Sequence, residues 1–148
     1  PMPLWVGGSA AAAIERTAQW GTGWQAGIEN AEQIAPVIAA IKQRTEELGR
    51  KIDDDHFGAG FGIRFGSVDD PVVQRHHAVL EKRLGKQPEG YSAVGGVEEM
   101  MTLLEDFHRA GAHKFILRPI AMGVRDMIEQ TQLMVEHLLP AISAMNSP

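Results

Sequence analysis

The stretch Pro3-Leu4-Trp5-Val6-Gly7-Gly8-Ser9 decides the fold, because apolar residues run directly into a glycine pair and a serine. The alanine-rich residues 10–13 then begin a helix-forming segment. This pattern predicts a short buried strand, a tight turn and the start of a helix. Glycines let backbone N–H groups approach a ligand closely, and a helix N-terminus favours an anion. The stretch is therefore a candidate phosphate-binding turn, although an ordinary strand–turn–helix corner fits the same residues.

Composition and charge restrict the class of protein. A chain of 148 residues with 44% hydrophobic and 22% charged residues is expected to form one domain with its own core, over residues 1–148. The formal net charge of -5 and the lack of a basic run argue against a nucleic-acid partner. No signal peptide and no apolar stretch of membrane-spanning length is present, and the chain has no cysteine. These features predict a cytoplasmic protein with no membrane partner.

Predicted strands and helices alternate along the chain. After the opening strand, strands are predicted at 23–27, 57–66 and 114–119. Helices are predicted at 10–20, 31–48, 71–84, 97–109 and 124–145, and Pro140 permits a bend in the last. This alternation predicts an α/β fold of four parallel βαβ units. Such units form either a small open sheet, which the chain length favours, or half of an eight-stranded barrel of about 250 residues.

The order of the motifs resembles the luciferase-like monooxygenase family. The opening stretch, its alanine-rich helix and the segment Ala18–Trp24 are similar to the later half of that family, with Thr22 in place of its usual acidic residue. The similarity continues through the 31–48 helix and the 57–66 strand to Ala93–Glu99 and Ala110–Arg118. The resemblance implies the C-terminal half, or four βα units, of a TIM (β/α)8 barrel, with parallel strands and outer helices.

The resemblance also implies a cofactor and a partner. The family comprises flavin- and deazaflavin-dependent oxidoreductases, so the implied cofactor is FMN or coenzyme F420. A lone half-barrel leaves two strand edges unpaired and an apolar inner face open. We therefore expect this chain to be a fragment of a longer enzyme or a half that pairs with an N-terminal half or with a second copy, as a homo-oligomer. A non-enzymatic half-barrel that acts through self-association or a partner, and an unrelated open-sheet phosphate binder, are the alternatives.

Two loops and two arginines are the predicted cofactor-binding residues. In the family, the loops that contain Gly7, Gly8 and Ser9 and then Ala26, Gly27 and Ile28 hold the phosphate end of the cofactor. Arg118 and Arg125 flank the loop after the last strand, where a guanidinium can pair with a phosphate. Arg64 has similar standing, and each of these arginines could equally form a salt bridge. The family favours Arg125, because a basic residue near the start of the last helix can contact the phosphate there.

The sequence contains no predicted catalytic residue and no predicted metal site. The histidines lack the spacing of a metal-binding helix motif, and Asp53-Asp54-Asp55 lacks the glycine and terminal glutamate of a calcium loop. Trp5, Trp20 and Trp24 are predicted to be core or barrel-mouth aromatic residues.

Overall fold

The computed structural model describes residues 2–145, in which parallel strands alternate with helices as predicted. The strands are β1 (Trp5–Gly7), β2 (Gly23–Gln25), β3 (Phe57–Phe65), β4 (Ser92–Gly95) and β5 (Lys114–Pro119). The α-helices are α1 (Ala11–Trp20), α2 (Ala31–Glu47), α3 (Pro71–Leu84), α4 (Val97–Arg109), α5 (Gly123–Leu133) and α6 (Leu139–Met145). The sheet order is β1-β2-β3-β4, and β5 also pairs with β3.

The chain divides into two compact units. The first consists of the described residues up to Gly60 together with Asp106–Ile116, and the second of Phe61–Glu105 together with the described residues from Leu117 onward. No helix within residues 2–145 combines the length and the apolar character required to cross a bilayer.

In the first unit, the strand register separates the side chains onto two faces. Trp5 lies opposite Gly23 and Val6 opposite Trp24, and Trp24 in turn lies opposite Phe57. Trp24 and Phe57 are fully buried, and the Lys42 ammonium of α2 lies 5.2 Å from the centre of the Phe57 ring. Val6, Trp24 and Phe57 therefore lie on the face towards α2. The residues that alternate with them, including Trp5 and Gly23, lie on the opposite face.

Trp5 covers the glycines on that other face. A Cβ atom added at Gly23 would lie 2.6 Å from Cε2 of Trp5, and one added at Gly58 would lie 3.1 Å from Cζ3. The Trp5 ring therefore packs directly on the backbone of β2 and β3, which only glycine permits.

The helices of the first unit begin and end largely as the sequence predicts. Asn30 caps α2: its side chain accepts a hydrogen bond from the Gln33 amide, and the Gln33 side chain accepts one from the Asn30 amide. The apolar stripe of α2 is buried, with Ile34 and Ile41 fully inaccessible to solvent. Trp20, at the end of α1, is 68% exposed, so its prediction as a core or barrel-mouth residue is not met.

In the second unit, β4 is an element that the sequence analysis did not predict. Residues Ser92–Gly95 pair in parallel with the end of β3, from Gly62 to Phe65. The strand has four residues and only Ala93 among them is buried, so it lacks the apolar alternation of a strand with its own sequence signal. Pairing with β3, and not a pattern in its own sequence, therefore makes this segment a strand.

The last predicted helix is interrupted before Pro140. Residues Met134–Leu138 form a π-helical turn between α5 and α6, in which the Leu139 amide donates to the Met134 carbonyl. Proline has no N–H group and its ring clashes with the preceding turn, so the wider turn accommodates it.

Candidate phosphate-binding site

The Gly7–Ser9 loop begins at the last residue of β1 in the first unit, and its backbone requires glycine at position 8. Gly8 has φ of +99°, and a Cβ atom there would lie 3.3 Å from Cβ of Ala13. The buried Trp24 side chain donates a hydrogen bond of 2.9 Å from Nε1 to the Gly8 carbonyl oxygen. The core of the unit therefore fixes the orientation of this loop. The sequence analysis did not anticipate that role for Trp24.

The two helix N-termini next to the candidate loops differ in how their amides are satisfied. At α1, the N-cap residue Ala10 provides no side-chain hydrogen bond, and the first turn has no acidic residue. At α2, the Asn30–Gln33 capping box already satisfies two amides. The start of α1 is therefore the more electropositive of the two, since its first amides lack a side-chain acceptor.

The three residues of the second predicted loop, Ala26, Gly27 and Ile28, differ in their contacts. The Ala26 amide donates to the Gly58 carbonyl oxygen at 2.8 Å and so belongs to the sheet. The Gly27 amide instead donates to Oε2 of Glu29 at 2.6 Å. Ile28 is 39% exposed and contributes an apolar side chain at the surface. Of these three residues, Gly27 is the one whose amide is directed at an anionic group.

Glu29 connects the two loops. Its Oε1 accepts a hydrogen bond from the Ser9 hydroxyl, while its Oε2 accepts the Gly27 amide. Donors from the Gly7–Ser9 and Ala26–Ile28 loops thus converge on one carboxylate, and Ser9 lies two positions before the start of α1. Donors arranged in this way also suit the oxygens of a phosphate group. We call Ser9 and Gly27 with the Gly8 backbone, which here surround the Glu29 carboxylate, the anion cradle.

The sequence analysis missed Glu29. The residue precedes the N-cap Asn30, where a negative charge is common and has a local explanation in the helix dipole. A carboxylate two residues after Gly27 is nevertheless within reach of the Gly27 amide, and that spacing is a signal readable from sequence.

Arg118 and Arg125 both lie in the second unit. Arg118 is exposed on β5, and its positive charge, together with burial and the charge of His77, lowers the pKa of His76. Burial is the largest of these causes, because Nε2 of His76 is inaccessible and has no hydrogen-bond partner. Arg125 is exposed in the first turn of α5. A role for either arginine in cofactor binding stays a prediction.

Arg64 forms salt bridges within the second unit. Its Nε lies 2.9 Å from Oδ2 of Asp70, and its Nη1 lies 3.1 Å from Oδ1 of Asp126 and 2.9 Å from the carbonyl oxygen of Ile120. Burial works to lower the pKa of Arg64, but the hydrogen bonds to the two aspartates outweigh it and raise that pKa. The salt-bridge alternative therefore describes Arg64, whose side chain is only 14% exposed.

One group of potential metal ligands lies in the first unit. Ligand atoms of Asp53, Asp55 and His56 lie within 4.8 Å of one another at the surface. Lys51 lies 3.9 Å from Asp53, and Lys114 lies 3.5 Å from Asp55. The two ammonium groups already balance these carboxylates, which disfavours a cation between them.

Comparison with solved structures identifies the class of fold. The chain matches an F420-dependent secondary alcohol dehydrogenase in complex with an F420–acetone adduct, with a TM-score of 0.71 and 15% identity, over 93% of this chain and 48% of that one. It matches an EDTA monooxygenase from Chelativorans with a TM-score of 0.68 and 11% identity, over 99% and 45% of the two chains. It matches a riboflavin lyase with modified FMN and riboflavin with a TM-score of 0.64 and 17% identity, over 96% and 43%.

These matches confirm the resemblance at the level of fold. No family model and no curated protein matches the sequence. The structures matched are luciferase-like proteins with TIM-barrel folds, so this chain has the α/β fold of half such a barrel. The separate open-sheet alternative is therefore not supported. The chain spans about half the length of the solved structures that it matches.

Proposed function

We infer that this chain is the cofactor-phosphate-binding half of a flavin- or F420-dependent oxidoreductase of the luciferase-like class. The observation that carries the inference is the anion cradle, in which the Ser9 hydroxyl and the Gly27 amide converge on a carboxylate. The structural matches support it, since they include an F420-dependent secondary alcohol dehydrogenase, an EDTA monooxygenase and a riboflavin lyase with modified FMN.

The residues of the first unit fit the phosphate end of such a cofactor. The Ser9 hydroxyl and the Gly27 amide would hold phosphate oxygens, and the N-terminus of α1 would add favourable electrostatics. When bound, the cofactor supplies hydride or electron chemistry, and the protein supplies its binding and orientation. Gly8 keeps the loop compact through its positive φ, and Trp24 anchors the Gly8 carbonyl. For Arg118 and Arg125, which belong to the second unit, a role in cofactor binding stays a prediction, and no residue is assigned as a general acid, base or nucleophile.

Gly8→Val tests whether this loop binds the cofactor. We expect it to weaken the binding of FMN or coenzyme F420 by about tenfold or more, because valine opposes the φ of +99° and crowds Ala13. The measurement is fluorescence quenching or isothermal titration of the chain with each cofactor. Ser9→Ala, which removes one hydrogen-bond donor without backbone strain, should weaken binding by a smaller factor.

Gly49→Val is the matched control for backbone strain. Gly49 also has a positive φ, of +67°, but nothing lies within 4 Å of a Cβ atom there, and it follows the far end of α2. It should cost similar stability with cofactor affinity unchanged. Equal affinity in the unmodified chain, Gly8→Val and Ser9→Ala would remove the loop from the cofactor site.

Self-association is the second candidate function, and the strand edges favour it. Among the described strands, β1 pairs with β2 alone and β5 with β3 alone, so each leaves one edge without a strand partner. Leu4, just before β1, is 51% exposed. Exposed strand edges with apolar neighbours favour pairing with another chain, here a second copy.

We therefore expect the chain to form a stable dimer at micromolar concentration in light scattering coupled to size-exclusion chromatography. Leu4→Glu should shift the equilibrium towards monomer by placing a charge beside the β1 edge. Val79→Glu is its control, because Val79 is similarly exposed at 54% but lies on a helix, α3. A stable monomer at that concentration would contradict the expectation. If the chain forms dimers and neither FMN nor coenzyme F420 binds to them, the non-enzymatic half-barrel is favoured.

A further inference from the structure

The anion cradle holds one of the chain's own side chains. The carboxylate of Glu29 receives both the Ser9 hydroxyl and the Gly27 amide, and its Oε2 lies 2.6 Å from the Gly27 nitrogen. Glu29 is half-buried. The donors that would serve a ligand phosphate are therefore already satisfied by an internal anion.

A phosphate and the Glu29 carboxylate cannot share these donors. The Ser9 hydroxyl has a single hydrogen, and the Gly27 amide likewise has one. Two anions at hydrogen-bonding distance from the same groups would also repel each other. A phosphate can therefore enter only when the Glu29 side chain leaves.

The Glu29 side chain can leave by a local movement. Glu29 lies only two positions after Gly27, and the next residue, Asn30, is the N-cap of helix α2. Rotation about the side-chain torsions of Glu29 would release both donors without moving α2 or the sheet, and such rotations are rapid at a partly exposed position. The negative charge stays near the N-terminus of α2, which favours it there.

We propose that Glu29 is an internal competitor of the cofactor phosphate, which occupies the anion cradle in the free chain and swings out when a phosphate-bearing cofactor binds. This proposal rests on the proposed function, because it assumes that the anion cradle is the phosphate site. It predicts that Glu29 lowers the affinity for FMN, which carries a phosphate, and leaves the affinity for riboflavin, which does not, unchanged. Glu29 thereby sets how strongly the site discriminates between the two.

The experiment compares Glu29→Gln and Glu29→Ala with the unmodified chain. Glu29→Gln keeps the shape and removes the charge, whereas Glu29→Ala also frees both donors. We expect FMN to bind about tenfold more tightly to Glu29→Ala and by an intermediate factor to Glu29→Gln, with riboflavin unchanged. Inorganic phosphate is the second probe, followed through the Gly27 amide signal in ¹⁵N NMR spectra. That signal should shift in both variants before any ligand is added.

Glu32 provides the matched control. It is an exposed glutamate in the first turn of α2, so Glu32→Gln and Glu32→Ala remove the same charge close by without touching the cradle donors. These variants should change FMN affinity by less than about twofold and leave the Gly27 signal in place. If the Glu32 variants gained as much FMN affinity as the Glu29 variants, the effect would come from removing a nearby negative charge in general, and the proposal would be overturned.

The double variant Ser9→Ala with Glu29→Ala distinguishes a failure of this proposal from a failure of the proposed function. If Ser9→Ala weakens FMN binding in that background but Glu29→Ala by itself does not strengthen it, the anion cradle binds phosphate and Glu29 is not its competitor. If neither FMN nor inorganic phosphate responds to Ser9 or Glu29, the anion cradle is not the phosphate site and both proposals fall.

Discussion

Trp24→Ala is expected to lower the free energy of unfolding by about 3–5 kcal/mol, the usual cost of truncating a large aromatic side chain in a core. Trp24 is fully buried on β2, between Val6 and Phe57 in the strand register. The substitution leaves a large cavity and also removes the hydrogen bond from Nε1 to the Gly8 carbonyl. The measurement is equilibrium unfolding in urea, followed by circular dichroism.

Two further variants separate packing from the hydrogen bond. Trp24→Phe keeps most of the ring volume and loses the N–H donor, so it should cost about 1–3 kcal/mol and loosen the Gly8 loop. The affinity of Trp24→Phe for FMN should fall further than the increase in the unfolded fraction of the chain accounts for. Trp20→Ala is the control, because Trp20 is 68% exposed and its removal should change stability by about 0.5 kcal/mol or less. An equal loss for Trp20→Ala and Trp24→Ala would contradict the assigned burial.

Gly23→Ala is expected to destabilise the first unit by about 3 kcal/mol, at the upper end of the range for overpacked positions. The new Cβ atom would lie 2.6 Å from Cε2 of Trp5 and 2.9 Å from the carbonyl oxygen of His56. The first contact is with a rigid ring and the second with backbone, so neither is relieved by rotation of a flexible side chain. The same urea titration measures the effect.

Gly7→Ala is the control for adding a methyl group to a strand glycine. Gly7 lies on β1, and a Cβ atom there would lie 3.6 Å from the Gln25 carbonyl oxygen, an ordinary van der Waals contact. It should change stability by less than about 1 kcal/mol. The double variant Trp5→Leu with Gly23→Ala should recover part of the loss that Gly23→Ala causes, since the ring contact is removed. No recovery at all would place the conflict entirely at the His56 carbonyl.

The architecture was predictable where local sequence determines local structure. Asn30 followed by Gln33 specifies the start of α2, because the two side chains satisfy amides that the helix cannot. The alternation of Phe57, Phe61, Ile63 and Phe65 with small residues specifies β3. The first three are buried as the pattern predicts, and Phe65 is half-buried. The order of such elements left a small open sheet and half of a barrel both possible, and it was the resemblance to the luciferase-like family that implied the half-barrel.

The candidate site was predictable only in part. Gly8 and Gly27 lie just after β1 and β2, where strand–turn–helix corners leave a local sequence signal, and Gly8 has the positive φ that favours glycine. Arg64 could not be separated from Arg118 and Arg125 by sequence. Its partners Asp70 and Asp126 are 6 and 62 residues away in the chain, and only folding brings the more distant one to the guanidinium.

The sequence by itself determined the alternating elements, their caps and the two glycine loops, because each depends on residues within a few positions of one another. Tertiary structure alone decided that β4 pairs with β3, that Trp20 is exposed while Trp24 is buried, and that the Ser9 hydroxyl meets the Glu29 carboxylate. Those outcomes depend on contacts between residues far apart in the chain, and no local pattern encodes which distant partner a side chain or a short strand will meet.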